Sequence, residues 1–221
     1  MLMKKTIKQA VSYLLALCLL LALPACFTGC ASRPPKIGQI YDRVVELVES
    51  SYSLNTVFYG AGLPVYEKGS TYAELAHLYF GATTTSGYEL ITPYALYRSE
   101  DDIKAAAEQV YSRAYLDEVI YPALFEGYAI EGINGSATHA LARYLQEQEW
   151  LYQAESATNY LTHGMRIYDY STMKIVRPSN GEACYVSMNS WMPDSPDVIS
   201  TNPIRLVLQD DGQWYLDSFT G

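Results

Sequence analysis

Titratable side chains are common in this 221-residue chain, but few stand at spacings that support chemistry. The histidines His77, His139 and His163 lie far apart and outside any HExxH or CxxC pattern, so the sequence predicts no metal site. There is also no GxSxG motif, no phosphate-binding glycine loop and no nucleotide fingerprint. We therefore predict no catalytic residue, no metal and no cofactor, and expect each histidine to be solvated or satisfied by structural hydrogen bonds.

Neighbouring carboxylates, which acid–base catalysis would use, stand where local structure accounts for them. Ser99 precedes three acids at residues 100–102, which is the pattern of a helix N-cap with negative charge against the helix dipole. The Asp-Asp-Gly of residues 210–212 reads as a hairpin turn. Asp194 and Asp197 stand among prolines, where they lie in a solvated loop or contact a partner. The sequence favours structural roles for these acids.

Aromatic side chains supply the remaining candidate site. The chain has 21 tyrosines against five phenylalanines, and tyrosine, with its apolar ring and polar tip, suits half-buried sheets and pockets that bind sugars or peptides. A semi-exposed, tyrosine-rich core is the alternative interpretation. If there is a pocket, we expect it to be lined by Trp150, Tyr152, Trp191 and Trp214.

The first 29 residues have the composition of a targeting segment. Three lysines precede an apolar run over residues 11–23, which is shorter than the roughly 20 residues of a membrane-spanning helix. The run is followed by ACFTGCAS, where small residues stand directly before a cysteine, and this resembles the signal of bacterial lipoproteins. We expect Cys30 to be the lipidated residue, with Cys26 as the alternative.

A lipid on Cys30 would tether the other residues to the outer face of the cytoplasmic membrane, because two or three acyl chains anchor a protein stably. Residues 30–36, with two prolines, then form a short tether, and residues 37–221 form a single domain. Removal of residues 1–29 takes away three lysines and no acid, so 12 basic residues stand against 24 acidic ones. Nucleic acid is excluded as a partner, since its recognition requires a basic surface.

Hydrophobic periodicity predicts helices in the first half of this domain. Apolar residues recur at helical spacing over residues 37–59, and Gly60 and Pro64 end the helix. A second helix follows the Ser99 cap, and a third spans residues 115–124 with Pro122 as its end. Residues 71–91 fit a helix or a strand, and the sequence leaves this open.

Antiparallel strands are predicted in the second half. Residues 140–154 are interpreted as two strands that turn at Gln148, and further strands are predicted at 165–170, 172–176 and 183–191. A proline-bracketed loop at 193–203 and a hairpin at 204–219 complete the chain. Cys184, alone within a strand pattern, is expected to be a small buried hydrophobe. We predict an α+β fold, with N-terminal helices packed on a curved antiparallel sheet.

Three segments carry a resemblance to known families: RSEDDIKAAAEQVYSRAY, ARYLQEQEWLY and NPIRLVLQDDGQWYLDS. Over residues 88–221 the domain resembles the cone-like folds of the nuclear-transport-factor-2-like and cystatin-like families, in which a curved sheet wraps a long helix and leaves a pocket. Within that shape it resembles the cell-wall DL-endopeptidase inhibitors of Gram-positive bacteria, which use an acidic loop against their target enzymes.

The resemblance implies a non-catalytic, membrane-anchored envelope protein that binds a cell-wall hydrolase or peptidoglycan. A small-ligand binder using the cone pocket is the alternative, and a cryptic pocket enzyme is a third hypothesis. Fold alone does not decide between them, because such folds host enzymes and binders alike.

Overall fold

A computed structural model describes residues 33–82, 86–131, 137–157 and 165–221. Pro34–Gly221 forms one compact unit. The predicted lipidation at Cys30 or Cys26 and the side chain of His163 lie outside the described residues.

The fold is α+β, with helices packed against antiparallel sheets, as the sequence predicts. The helices are α1 (Ile37–Tyr59), α2 (Thr71–Phe80), α3 (Glu100–Ala107) and α4 (Arg113–Tyr115), and α4 is followed by π-helical turns at Leu116–Ile120 and Pro122–Glu126. The strands are β1 (Tyr88–Leu90), β2 (Tyr128–Glu131), β3 (Ala137–Ala140), β4 (Tyr144–Glu147), β5 (Trp150–Ala154), β6 (Ile167–Val176), β7 (Ala183–Met192), β8 (Ser195–Ser200), β9 (Ile204–Leu208) and β10 (Trp214–Leu216).

The described strands pair in three groups. One sheet has the order β1-β5-β4, a second has the order β10-β9-β7-β6 with β8 also on β7, and β2 pairs with β3. Every one of these pairings is antiparallel. In the first sheet Leu90 lies opposite Tyr152, so a short strand near residue 90 pairs with one some 60 residues later.

Helix α1 is the centre of the main core, and its bounds are those that the periodicity predicts. Its predicted apolar positions are all buried, namely Ile40, Val44, Leu47, Val48 and Leu54. They pack in one cluster with Val186, Leu206 and Leu216 of the five-stranded sheet. The apolar residues of α1, spaced three and four apart, therefore form a buried stripe. Packing of such a stripe is the largest source of stability for a helix of this kind.

A buried polar network ties the end of the chain to α1. Asn55 donates from Nδ2 to Thr220 Oγ1 at 2.7 Å, and the Tyr111 hydroxyl donates to Asn55 Oδ1 at 2.5 Å. Ser51 Oγ also lies 2.6 Å from Thr220 Oγ1. Because all these side chains are buried, each hydrogen bond removes a polar group that would otherwise be costly to bury.

Residues 71–91, which the sequence leaves open between helix and strand, contain helix α2 and then strand β1.

Two sequence predictions of secondary structure were wrong. Pro122 does not end a helix, because the helical backbone continues through Tyr121 and Pro122 into the second π-helical turn. The predicted loop at 193–203 contains β8, an edge strand on β7, and edge positions tolerate proline.

Most of the other sequence predictions for the second half were confirmed. The β4–β5 turn at Gln148 has a positive φ of 55°, and the final hairpin turns at Gly212 with φ 77°. The predicted strands at 165–170 and 172–176 form the single strand β6, which is irregular between Asp169 and Lys174. Cys184 is fully buried. The alternation of Ile204, Leu206 and Leu208 predicts that all three lie on one buried face, and this prediction was wrong for Leu208, which is 37% exposed at the end of β9.

Buried tyrosines make the fold sensitive to alkaline pH. Burial raises the pKa of Tyr144 to about 12, and it also raises the pKa of Tyr111 and Tyr168 above the usual 10. Above pH 10 the unfolded chain loses these protons first, so the free energy of unfolding falls by about 1.4 kcal/mol per pH unit for each such tyrosine. We expect a steep loss of stability between pH 10 and pH 12 in urea unfolding. Tyr144→Phe should lessen the slope by one proton, and an unchanged slope would contradict this account.

Candidate functional site

The four aromatic residues predicted to line one pocket lie in two different sheets. Trp150 and Tyr152 belong to β5 of the three-stranded sheet, whereas Trp191 lies on β7 and Trp214 on β10 of the five-stranded sheet. Tyr152 is buried with Ala76, Ala82 and Leu90, and Trp214 packs against the main core. Trp150 is the one that lines both of the adjoining cavities described below.

The titratable residues that could serve in catalysis or metal binding have structural roles instead. His77 Nδ1 lies 2.7 Å from the carbonyl oxygen of Ala82, which follows its own helix. Asp211 accepts hydrogen bonds from the Gln213 backbone and the Tyr215 hydroxyl within the hairpin turn. Burial raises the pKa of the Cys184 thiol, which disfavours a reactive thiolate.

Neither a metal-binding cluster nor a membrane-spanning helix is present among the residues that the structure describes. No group of three or more His, Cys, Asp or Glu side chains there is arranged to hold a metal ion. Within the same ranges, no helix has the length and apolar character needed to cross a membrane.

A cleft of about 480 Å³ opens between the segment after β1 and the β4–β5 turn. Its walls are Ile91, Thr92, Pro93, Arg98, Ser99, Asp102, Glu149, Trp150 and Leu151. The pairing of Ile91 with β5, through its N–H to the Leu151 carbonyl at 3.0 Å, holds the two walls together. The volume lies in the range of ligand-binding clefts.

Asp102 in this cleft is a helix-capping residue. Its Oδ2 accepts the backbone N–H groups of Arg98 at 2.9 Å and Ser99 at 3.1 Å, while Ser99 Oγ accepts the N–H of Asp102. The hydrogen bond from the Arg98 backbone is the main cause that lowers the pKa of this carboxyl. The predicted N-cap is therefore confirmed, and Asp102 stays ionised rather than serving as an acid or base.

An apolar groove of about 310 Å³ adjoins the cleft. It is lined by Tyr66, Tyr72, Leu75, Ala76, Pro93 and Trp150. Pro93 and Trp150 line both spaces, so the indole forms a wall common to a polar cleft and an apolar groove. The indole N–H is buried and has no hydrogen-bond partner, which is an uncommon state for a buried donor.

Helix α2 and the turn after β1 expose a large apolar face. On α2, Tyr72, Leu75 and Tyr79 follow helical spacing on one side. The exposed members are Tyr72 (72%), Leu75 (39%), Leu78 (73%), Tyr79 (70%), Tyr94 (92%) and Leu96 (69%). We name this set the α2 face. Because Pro93 shares the groove with Tyr72 and Leu75, the turn that carries Tyr94 and Leu96 lies beside the helix.

Acidic residues stand around the α2 face. Glu67 follows the groove residue Tyr66, Glu74 lies on α2, and Glu149 precedes Trp150, and all three are exposed. Lys68 is paired with Glu155 at 2.8 Å, which removes one nearby cation. An apolar centre with a charged rim is the anatomy of a protein-binding surface.

The sequence alone does not reveal this face. The buried side of α2 carries only the small residues Ala73 and Ala76, and its exposed side carries larger apolar residues. A helix that is apolar on most sides has a weak periodic signal, which explains the ambiguity over residues 71–91. The available signal was the density of tyrosine and leucine in a short exposed segment.

Comparisons with known proteins add no relative: no family model, curated protein or solved structure matches the chain at a significant level.

Proposed function

We propose that this protein is a membrane-anchored extracytoplasmic lipoprotein whose folded domain is a non-catalytic binding module of the cell envelope. The α2 face is its contact surface. The observation that supports this most is the exposure of four tyrosines and leucines on helix α2, with Tyr94 and Leu96 exposed on the turn whose Pro93 lines the same groove as Tyr72 and Leu75. Exposed apolar patches of several hundred Å² mark interaction sites, because a soluble domain otherwise avoids them.

The size of the α2 face suits a protein partner. With about 200 Å² for a whole tyrosine side chain, the exposed parts of Tyr72, Tyr79 and Tyr94 amount to about 450 Å². Three leucines add to this, which approaches the roughly 800 Å² that each partner contributes to a standard interface. Tyrosine is also enriched among the residues that dominate binding energy.

The charge of the rim favours a partner with basic residues around an apolar centre. Glu67, Glu74 and Glu149 would face such residues and speed the encounter. A second copy of this chain is a poorer occupant, since the same acidic rim would repel itself. The resemblance to cell-wall DL-endopeptidase inhibitors supports a wall hydrolase as the partner, held close to the membrane by the lipid on Cys30.

Binding of the domain to wall enzymes tests this proposal. Residues 33–221 would be incubated with wall DL-endopeptidases, and separately with purified peptidoglycan, while co-sedimentation and wall clearing are followed. We expect retention of an enzyme and slower clearing of the wall. If the domain is retained by peptidoglycan but by no enzyme, the partner is the wall polymer. If it is retained by neither, the proposal is refuted.

A further inference from the structure

Trp150 carries the one buried indole nitrogen that has no hydrogen-bond partner in the described part of the chain. The indole is only partly buried as a whole and lines both cavities. Because this nitrogen is itself buried, a ligand in the cleft reaches it only if the ring rotates toward the cleft. A ligand acceptor there would relieve an unfavourable buried donor, which is a gain that an ordinary surface contact does not offer.

Arg98 places a positive charge in the same cleft. Its side chain lines the cleft and is exposed, and it forms no ion pair with another described residue. A guanidinium presents paired N–H donors that match a carboxylate, so Arg98 suits a carboxylate of a ligand. Asp102 lines the same cleft, and the charge of Arg98 contributes to the lowered pKa of its carboxyl, but the oxygen Oδ2 is engaged by the backbone N–H groups of residues 98 and 99.

Glu149 supplies the opposite charge. It lines the cleft next to Trp150 and is exposed. A ligand with a carboxylate alone would meet repulsion from Glu149, whereas one that also carries an ammonium group would pair with both residues. The adjoining groove of Tyr72, Leu75 and Ala76 offers space for an apolar side chain.

We propose that the cleft between Arg98 and Glu149 binds a short peptide that carries both a carboxylate and an amino group. The carboxylate contacts Arg98, the amino group contacts Glu149, a peptide carbonyl accepts the Trp150 indole N–H, and an apolar side chain enters the groove. This site goes beyond the proposed function, since it takes a small ligand rather than a protein surface.

The Trp150 indole resonance gives a direct test. The full chain would be labelled with ¹⁵N-tryptophan and solubilised in detergent micelles, and its three indole signals assigned with Trp150→Phe. The probe is the tripeptide Lys-Leu-Glu with free termini. We expect the Trp150 signal to shift on titration, whereas the signals of Trp191 and Trp214, which lie on the other sheet, stay in place.

Matched ligands and variants separate the contacts. Acetyl-Gln-Leu-Gln-amide has the same length without charges and should bind at least about tenfold more weakly. Arg98→Gln and Glu149→Gln should each weaken the charged tripeptide by about tenfold while the indole spectrum of the free protein is kept. Arg98→Gln preserves the backbone N–H that Asp102 accepts, so helix α3 keeps its cap.

Two outcomes would overturn the inference. One is an unmoved Trp150 signal at millimolar tripeptide, and the other is a shift with a tetramer of N-acetylglucosamine but not with the tripeptide, which would assign the cleft to a glycan. The site shares Tyr72, Leu75 and Glu149 with the α2 face and its rim, but failure of the proposed function is told apart from these outcomes because it is scored by retention of a wall enzyme.

Discussion

Replacing Arg143 by methionine is expected to lower the free energy of unfolding by about 3 kcal/mol, because it removes two buried donors from the end of α1 and leaves the Val57 carbonyl with the Tyr144 hydroxyl alone. Arg143 is 8% exposed. It donates from Nε to the Val57 carbonyl at 2.8 Å and from Nη2 to the Gly60 carbonyl at 2.5 Å. No basic residue of α1 itself stands in its last turn, so this guanidinium, brought in just before β4, also places positive charge at the negative end of the helix dipole.

Methionine keeps much of the volume of the side chain, so the loss reports the hydrogen bonds and the charge rather than a cavity. The matched control is Arg113→Met, whose guanidinium is well exposed and pairs with Glu108 and Asp117. Exposed pairs contribute little, so we expect this control to change stability by less than about 1 kcal/mol. Urea unfolding measures both variants, and equal effects would contradict the capping role of Arg143.

Gly62→Ala is expected to cost about 4 kcal/mol, since the new methyl group meets both a backbone restriction and an occupied space. Gly62 has a φ of 80°, and a Cβ there would lie 1.9 Å from Gln153 Oε1. That oxygen accepts the Leu63 N–H at 2.8 Å, and Gln153 Nε2 donates to the Ala61 carbonyl at 3.3 Å. The methyl group would displace this buried amide and leave both backbone groups without their partners.

Gly69→Ala separates the two causes. Gly69 has a similar φ of 72°, but nothing lies within 4 Å of a Cβ built there. It should therefore show only the conformational cost of about 1 kcal/mol. In a double-mutant cycle, Gln153→Ala should recover part of the loss in Gly62→Ala, because it removes the clashing amide. Equal costs at Gly62 and Gly69 in thermal unfolding would show that the contact with Gln153 does not matter.

Local patterns in the sequence predict the parts of this fold whose stability is local. Helix α1 was predicted with its observed bounds because one continuous apolar stripe faces the core. The Ser99 cap and the final hairpin were predicted for the same reason, since each is specified by a few adjacent residues.

The candidate site was not predictable in this way, because its walls come from segments that are distant in the chain. The cleft depends on the pairing of Ile91 with Leu151, and nothing in either segment specifies that register. The residue types predict that both Trp150 and Tyr152 line a pocket, but Tyr152 is buried in the core. Strand alternation puts residues 150 and 152 on the same face of β5, so they differ in their position along the strand: Trp150 begins β5 beside the cleft, and Tyr152 lies deeper, among Ala76, Ala82 and Leu90.

The most direct test of the central claim compares two double variants for retention of the captured wall enzyme. Tyr72→Ser with Tyr79→Ser removes the largest exposed side chains of α2, and both positions are exposed enough to leave the core unchanged. Val198→Ser with Ile199→Ser removes exposed apolar side chains from β8 of the other sheet and serves as the control. We expect the first pair to weaken binding by at least about 100-fold, as for anchor residues of an interface, and the second to leave it unchanged. Equal affinity for both variants would contradict the assignment of the α2 face as the binding surface.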